Sequence, residues 1–320
     1  MNFASKPRQD APRGGDQSKA LTKARREACV PQSGAISQSS VFSFNQEKIL
    51  PSLTDADALV ASFEDATRRA GELALGFFRH GENTSATISH KAGGSPVTEA
   101  DHLVDRFLKQ RFSGLLPEAG WLSEETEDSA ARLDKRLLLV VDPIDGTRAF
   151  ARGEPTWAVA VALVRDGRPL IGIVHAPALD ETYVAVKDGG ARLNGVPIEV
   201  SRLIALDANA KVGAPRLLAA ELRQAGLEFN LQPRVPSLAM RIAYVASGAL
   251  DAGFASENSN DWDVAAADLI LEEAGGRLAG LDGGELVYNR KETRHGLLTA
   301  APRQIHFQVN LALRRARGSA

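Results

Sequence analysis

The sequence predicts an α/β protein in which two sheets are sandwiched with helices. An apolar helical period begins at Leu53, short apolar runs separated by turn pairs follow, and helices and strands alternate after about Val200. The chain has 320 residues, 44% of them apolar, which is enough for a large core. We predict an N-terminal α+β subdomain over residues 51–200 that carries the candidate metal-site acids, and a C-terminal α/β subdomain over residues 201–320.

The first fifty residues differ in composition from the rest. Residues 1–46 contain seven basic and three acidic side chains and have little apolar periodicity. Such a segment cannot bury enough apolar surface to offset its ordering entropy. We therefore predict that residues 1–50 form a disordered basic and polar extension. It lacks the apolar core of a secretory signal; a plain tail or a misassigned start is favoured over a transit peptide.

Charge and cysteine content limit the partners and the compartment. The formal net charge is −2, from 38 basic and 40 acidic residues, which gives no reason to expect a nucleic-acid polymer or a membrane surface as partner. The only cysteine, Cys29, cannot form an internal disulfide, as is typical of the reducing cytoplasm. The longest apolar runs have strand length and fall short of the roughly 20 residues of a membrane span.

Helices are predicted on both sides of the central strands. The first begins near Leu53, with Thr54 or Asp55 as a plausible N-cap, and the second follows Thr98. Glycines 275 and 276 end the last predicted helix. The later predicted helices are residues 215–224, 237–246 and 262–274.

Short apolar runs bounded by turn residues predict the strands. The pairs Asp166-Gly167 and Asn194-Gly195 predict two hairpin turns. The predicted strands are residues 137–141, 157–164, 170–175, 182–186, 251–255 and 297–300.

An acidic turn follows the first of these strands. Its proline and glycine force a tight bend, so that Asp142 and Asp145 can face one point. Two carboxylates and the carbonyl of Ile144 are hard oxygen ligands that suit Mg²⁺. The amides of Gly146 and Thr147 could hold phosphate oxygens. An ordinary turn is the alternative, because Asp-Pro and Asp-Gly are common turn pairs.

Other acids extend the candidate site, although each has a simple structural alternative. Glu124 follows a short apolar step and could equally be a surface acid. Asp263 opens a predicted helix and could serve as a cap, as could Asp101 beside Thr98. Residue spacing alone does not show that these acids meet in space.

Five segments, in order, resemble the inositol monophosphatase family within the wider fructose-bisphosphatase-like fold. The combination of Glu-Glu, Asp-Pro-Ile-Asp-Gly-Thr and Trp-Asp-x-Ala-Ala in this order is highly specific. The resemblance implies a layered αβαβα sandwich, a phosphoric monoester hydrolase, a small phosphorylated substrate and inhibition by Li⁺, and it is compatible with a homodimer. The matching segments are residues 95–101, 122–125, 142–147, 157–177 and 261–276.

The resemblance implies two to three bound Mg²⁺ ions. Glu124, Asp142 and the Ile144 carbonyl are implied to hold one ion. Asp142, Asp145 and Asp263 are implied to hold a second, and a third lies more loosely near Glu124 through waters. In such enzymes the ions activate a water that attacks the phosphorus directly, without a phospho-enzyme.

The resemblance also implies catalytic and substrate-binding residues. Asp101 and Thr147 are implied to polarise the attacking water, and Glu124 is placed with them as a catalytic residue. The implied substrate contacts are Gly146, Thr147, Ser237, Asp263 and, by a weaker correspondence, Lys91.

The substrate stays open among the branches of the family. Leu-Ser-Glu-Glu at residues 122–125, and Ser237-Leu238 heading a helix, resemble the 3′(2′),5′-bisphosphate nucleotidase branch most. Inositol monophosphatase and histidinol-phosphate phosphatase are the alternatives. Inositol phosphatases usually have an acid about seven residues before the second metal-site aspartate, where this chain has Ser256 with Glu257 adjacent.

Two further classes are weighed against a phosphatase of this family. A haloacid dehalogenase-type phosphatase needs two aspartates two positions apart, whereas Asp142 and Asp145 are three apart with a proline between. A catalytically inactive binding protein on the same fold would be expected to have lost a ligand acid, and all the matched acids are present.

Overall fold

A computed structural model of the chain describes residues 53–317, so the predicted extension over residues 1–50 lies outside the described residues. The helices are α1 (Leu53–Leu75), α2 (Glu99–Leu115), α3 (Thr147–Ala151), α4 (Arg216–Gln224), α5 (Leu238–Ala246), α6 (Asp261–Glu273) and α7 (Arg303–Ala316). The strands are β1 (Ile88–His90), β2 (Pro96–Thr98), β3 (Gly120–Ser123), β4 (Leu137–Asp145), β5 (Ala158–Arg165), β6 (Arg168–Ala176), β7 (Glu181–Val186), β8 (Ala191–Leu193), β9 (Val196–Pro197), β10 (Lys211–Gly213), β11 (Asn230–Leu231), β12 (Ala252–Ala255), β13 (Gly276–Gly280) and β14 (Leu298–Pro302).

The described elements stack in five layers. A seven-stranded sheet has the order β3-β4-β5-β6-β7-β8-β9, and a five-stranded sheet within residues 53–317 has the order β11-β10-β12-β14-β13. Helices α1 and α2 cover one face of the larger sheet, α5 and α6 lie between the sheets, and α4 and α7 cover the smaller sheet. The predicted αβαβα sandwich is therefore confirmed. No helix in the described part is long and apolar enough to cross a bilayer.

Strand β4 is buried on both faces, which explains its uninterrupted apolar run. Leu139 packs into the core beneath α1 and α2, whereas Val140 packs into the core that contains α6. Helix α6 approaches the larger sheet closely at Gly172, where an added Cβ would lie 2.5 Å from the carbonyl oxygen of Ala266. A glycine is required at this crossing because any side chain would push the helix away.

The structure corrects the sequence prediction at several elements. Strand β4 continues to Asp145, because the chain bulges after Asp142 and then pairs again with Ala158. Helix α1 already includes Thr54 and Asp55, so neither is its N-cap. Helix α7 and strand β13 were not predicted. Both predicted hairpin turns are confirmed, with positive φ at Asp166-Gly167 and Asn194-Gly195. The division into two subdomains stays a prediction.

Buried His175 makes the stability of this fold depend on pH. Burial and, to a smaller extent, the charge of Arg68 lower the pKa of His175 to about 4, and the ring nitrogen Nδ1 lies 2.8 Å from the Thr182 hydroxyl. The depressed folded-state pKa means that this stability is present above the unfolded value of about 6.5 and is lost as pH falls towards 4. We expect up to about 3 kcal/mol to be lost over this window.

Urea unfolding at pH 7 and pH 4.5 measures this loss. The His175→Gln variant is expected to lose less stability than the wild type between the two pH values. The matched control is His80→Gln, which changes an exposed histidine. Equal losses in the wild type and His175→Gln would contradict the assignment of this pH dependence to His175.

Candidate metal centre

Two neighbouring strands bring the first acids to one edge of the larger sheet. Strands β3 and β4 are parallel, with Ser123 opposite Val141. The amide of Glu124 donates a hydrogen bond to the Val141 carbonyl at 3.3 Å. Because neighbouring parallel strands run in the same direction, this register places Glu124 and Asp142 side by side. The acidic turn at Asp142 therefore forms one candidate site together with Glu124, which follows the neighbouring strand β3.

Three aspartates from two distant parts of the chain meet at this edge. Ligand oxygens of Asp142, Asp145 and Asp263 lie within 4.8 Å of one another. The Asp145 carboxylate accepts hydrogen bonds from the Ser237 hydroxyl and from the Ala239 amide, both at 2.6 Å, so the first turn of α5 orients it. Asp263 lies in the first turn of α6 and accepts the Asn260 amide at 2.5 Å. Its capping role and its place in the acid cluster coexist.

Burial and mutual repulsion strongly disfavour negative charge in this cluster. Burial, followed by repulsion from Glu124, Asp145 and Asp263, raises the pKa of Asp142 well above its ordinary value. The pKa of Asp263 is raised well above its ordinary value by burial and then by Asp145. Burial raises the pKa of Asp145 to about 6, against the hydrogen bonds it accepts from Ser237 and α5.

One oxygen of this cluster is left without a partner. Within residues 53–317, Asp142 Oδ2 is buried and makes no hydrogen bond, although Oδ1 accepts the Ile144 amide at 3.1 Å. A buried acceptor without a donor costs about 1–3 kcal/mol. A divalent cation would both satisfy this oxygen and offset the repulsion among the carboxylates. The residues present therefore fit a hard metal ion such as Mg²⁺.

Asp101 and Thr147 are brought together beside the acids. The Thr147 hydroxyl lies 3.2 Å from Asp101 Oδ1 and 3.0 Å from the Ile144 carbonyl. The other carboxylate oxygen of Asp101 accepts the amide and the hydroxyl of Thr98 at 2.8 Å and 2.6 Å. Asp101 is thus both the capping-box residue of α2 and a neighbour of the site, and burial raises its pKa to about 6.

Lys91 touches the acids directly. Its Nζ lies 2.8 Å from Glu124 and 2.7 Å from Glu125. Burial opposes the charge of Lys91, but the two glutamates outweigh it and raise the lysine pKa. The structure therefore places the weakest of the implied substrate contacts against a candidate metal ligand. Glu125, which was not singled out as a site residue, belongs to the same ion-pair group.

Two other implied substrate contacts lie at helix starts. Gly146 precedes α3 with φ of +95°, and an added Cβ would lie 3.3 Å from the Thr156 carbonyl oxygen, so glycine suits this turn. Ser237 is fully buried and caps α5, where its hydroxyl donates to Asp145 and accepts the Met240 amide at 3.0 Å. The hydroxyl is thus engaged inside the protein, and substrate contact by Ser237 stays a prediction.

A cavity of about 740 Å³ opens beside the metal centre, with Asp263 in its wall. Three arginines line it: Arg216, Arg234 and Arg241. The Arg241 guanidinium donates to the carbonyls of Val235 and Phe254, both at 2.7 Å. The side chains of Arg216 and Arg234 are exposed and form no hydrogen bond or ion pair within residues 53–317. No motif marks these arginines, so reasoning from the sequence missed them.

A buried carboxylate cluster that could hold a metal ion suits a metal-dependent phosphoric monoester hydrolase. Residues 55–316 match the inositol monophosphatase family. The chain belongs to this family, which generally uses Mg²⁺ and whose members act on small phosphorylated substrates. The relatives named below are phosphatases, and this chain is a phosphoric monoester hydrolase.

Several relatives carry different substrate names. An inositol-1-monophosphatase of Mesorhizobium japonicum is 34% identical and covers 64% of this chain and 79% of the relative. A 3′(2′),5′-bisphosphate nucleotidase of Aggregatibacter actinomycetemcomitans is 29% identical over 72% of this chain and 87% of the relative. A histidinol-phosphatase of Mycobacterium tuberculosis is 35% identical over 61% and 78%.

A solved structure supports the same fold. The extragenic suppressor protein suhB of Bartonella henselae superposes with a TM-score of 0.71 at 28% identity, covering 81% of this chain and 99% of that one. Together these comparisons establish the family and do not decide which of its substrates this chain uses.

Proposed function

We propose that this protein is a Mg²⁺-dependent 3′(2′),5′-bisphosphate nucleotidase, which hydrolyses one phosphomonoester of a substrate that carries a second phosphate. The observation that carries this proposal is the arginine-lined cavity beside Asp263. A second anionic group on the substrate would pair with the exposed cations there. A volume of about 740 Å³ falls within the usual range for small-molecule sites.

The metal centre supplies the chemistry common to the family. Glu124, Asp142 and the Ile144 carbonyl would hold one ion, and Asp142, Asp145 and Asp263 a second, with a third bound more loosely near Glu124. When bound, Mg²⁺ supplies a Lewis acid that lowers the pKa of water and offsets the negative charge of the phosphate. Backbone amides at the starts of α5 and α6 donate to the carboxylates of Asp145 and Asp263 and so orient them for this role.

Residues of the chain itself would position the nucleophile and the phosphate. Thr147 Oγ1 could accept a hydrogen bond from the attacking water while its own hydrogen is donated to Asp101 Oδ1, 3.2 Å away. The amides of Gly146 and Thr147 lie at the start of α3, where backbone N–H groups have no acceptor within the helix, and they could donate to phosphate oxygens. The direct contact of Lys91 with Glu124 suggests that this lysine acts on the acids more than on the substrate.

Inositol monophosphate is the second candidate substrate, because an acid also lines the cavity. Glu257 is exposed there and could accept hydrogen bonds from sugar hydroxyls, although it pairs with Arg317 at 2.7 Å. Histidinol phosphate fits less well, since its positively charged amine would be repelled by the arginines.

Phosphate release from four substrates tests the proposal: adenosine 3′,5′-bisphosphate, inositol 1-phosphate, histidinol phosphate and fructose 1,6-bisphosphate. We expect Mg²⁺-dependent release with the highest kcat/KM for adenosine 3′,5′-bisphosphate. A higher kcat/KM for inositol 1-phosphate would overturn the nucleotidase proposal and leave the metal centre intact. Absence of Mg²⁺-dependent release from all four would contradict both.

A further inference from the structure

The loop that carries Glu124 is tied at both ends to one buried carboxylate. Asp105 lies on α2 and is only 6% exposed. Its Oδ1 accepts the Ser123 hydroxyl at 2.5 Å and its Oδ2 accepts the Thr126 hydroxyl at 2.7 Å. These two residues stand immediately before and just after the glutamate pair 124–125. We call this arrangement of Asp105, Ser123 and Thr126 the Asp105 clamp.

Each hydroxyl of the clamp also accepts a hydrogen bond from a nearby N–H group. The Ser123 hydroxyl accepts the Glu125 amide at 3.3 Å, and the Thr126 hydroxyl accepts the indole Nε1–H of Trp121 at 3.3 Å. The hydrogens of both hydroxyls therefore point to Asp105. The network orients the backbone on either side of Glu124 without touching the glutamate carboxylate.

Holding a loop with a buried carboxylate that has only neutral hydrogen-bond donors carries an unfavourable desolvation free energy. Within residues 53–317, the Asp105 side chain forms no ion pair and is held by hydrogen bonds from the two hydroxyls. Apolar packing could close such a loop without this desolvation cost. The clamp fixes the orientation of the loop, because one short hydrogen bond at each end leaves the residues between them little conformational freedom.

We propose that Asp105 is a positioning residue for metal binding: it fixes the 123–126 loop so that Glu124 faces the ion shared with Asp142. This inference rests on the proposed role of Glu124 as a metal ligand. It assigns to Ser123, which stands where inositol phosphatases usually have glycine, a specific task as donor to Asp105. Partners that orient metal ligands typically contribute 10–100-fold to metal affinity, so an effect of at least about tenfold is expected.

Direct metal binding separates this role from simple stabilisation. Electron paramagnetic resonance of free Mn²⁺ gives the dissociation constant without any substrate. The half-saturating Mg²⁺ concentration and the substrate KM at saturating Mg²⁺ are then measured with the preferred substrate. Asp105→Asn is expected to weaken Mn²⁺ binding and raise half-saturating Mg²⁺ about tenfold, with substrate KM changed less than about twofold.

Graded variants keep the test informative if Asp105→Asn folds poorly. Thr126→Val removes one bond of the clamp and should weaken Mn²⁺ binding, whereas Thr126→Ser keeps the hydroxyl and should restore it. The matched control is Asp128→Asn, which removes a nearby carboxylate paired with Arg132 at 2.6 Å and outside the clamp. This control should bind Mn²⁺ like the wild type.

Two results would overturn the inference in different ways. If Asp105→Asn and Thr126→Val lower the melting temperature but bind Mn²⁺ with wild-type affinity, Asp105 stabilises the fold only. If the wild type itself binds no Mn²⁺, the metal centre of the proposed function fails and the clamp fails with it. A wrong substrate assignment affects neither Mn²⁺ result.

Discussion

Asp142→Asn is expected to abolish Mg²⁺-dependent phosphate release while the protein remains folded. Asp142 is a proposed ligand of two ions, and its Oδ2 is a buried carboxylate oxygen without a hydrogen-bond donor in the described residues. Replacing the carboxylate with an amide removes one negative charge from the ligands of both ions. A loss of about 4 kcal/mol of transition-state stabilisation corresponds to about a thousandfold in kcat. Phosphate release at saturating Mg²⁺ measures it.

The same variant should show how much the acid cluster lowers the free energy of unfolding when no metal is bound. Burial and the neighbouring acids raise the pKa of Asp142, so its ionised form destabilises the metal-free fold at neutral pH. With chelator, Asp142→Asn should therefore melt at or above the wild-type temperature. Mg²⁺ at about 100 times its dissociation constant should stabilise the wild type by about 2.7 kcal/mol and the variant much less.

The sign of the pH dependence in chelator follows from the raised pKa. A carboxyl whose folded-state pKa lies above its unfolded value contributes most stability at low pH, when it is protonated in the fold. This contribution is lost as pH rises from about 4 through the folded-state pKa. The metal-free wild type should thus lose more stability than Asp142→Asn as pH rises to 7.

Asp268→Asn is the matched control for this experiment. Asp268 is a buried carboxyl on α6 that accepts the Tyr288 hydroxyl at 2.8 Å, outside the acid cluster, and burial raises its pKa to about 7. This variant should keep Mg²⁺-dependent activity and Mg²⁺-dependent stabilisation. Substantial Mg²⁺-dependent activity in Asp142→Asn would show that the metal centre is assigned to the wrong residues.

Local pattern predicted the framework of this site well. The apolar run predicted a strand over residues 137–141 that leads into Asp142, although β4 continues to Asp145. The cap signals predicted α2 and α6 near the residues where they begin. The meeting of the acids in space could not be predicted in this way, because it depends on pairing between distant segments. The parallel register of Ser123 with Val141 places Glu124 beside Asp142, and no spacing in the sequence encodes that register. Resemblance to a family supplied it.

Some elements were missed because their local signal is diluted. Helix α7 buries Ile305, Val309 and Leu313 at a spacing of four, but His306 and Asn310 are also buried on it. Polar residues inside a helix weaken the apolar period on which a sequence prediction depends. The Asp105 clamp was missed for a related reason, since an acid four residues after Asp101 looks like an ordinary solvated helix residue.

The arginine cavity could not be predicted because it is assembled from separate segments. Arg216 opens α4, Arg234 lies in the loop before α5, and Arg241 lies on α5. The smaller sheet and its helices bring these segments together, and single arginines carry no signal of proximity. The cavity therefore adds information on the substrate that the resemblance alone did not contain.

Removing both exposed arginines is expected to change substrate preference more than it changes catalysis. Arg216→Ala/Arg234→Ala should lower kcat/KM for adenosine 3′,5′-bisphosphate about a hundredfold, or about tenfold for each arginine, because charged hydrogen bonds to a second phosphate are lost. Adenosine 3′-monophosphate lacks the 5′-phosphate, so its kcat/KM should change less than about threefold. The ratio of the two kcat/KM values is the measured quantity.

Charge, salt and a surface control test the physical cause of this preference. Arg234→Glu should lower kcat/KM for the bisphosphate more than Arg234→Ala, because it adds repulsion to the lost attraction. The wild-type preference should shrink at 1 M salt, where charges are screened beyond about 3 Å. Arg223→Ala is the control: Arg223 lies on α4 over the Phe229 ring at 4.9 Å and does not line the cavity. If the arginine pair lowers kcat/KM equally for bisphosphate and monophosphate, the cavity holds no second phosphate and the nucleotidase proposal loses its support.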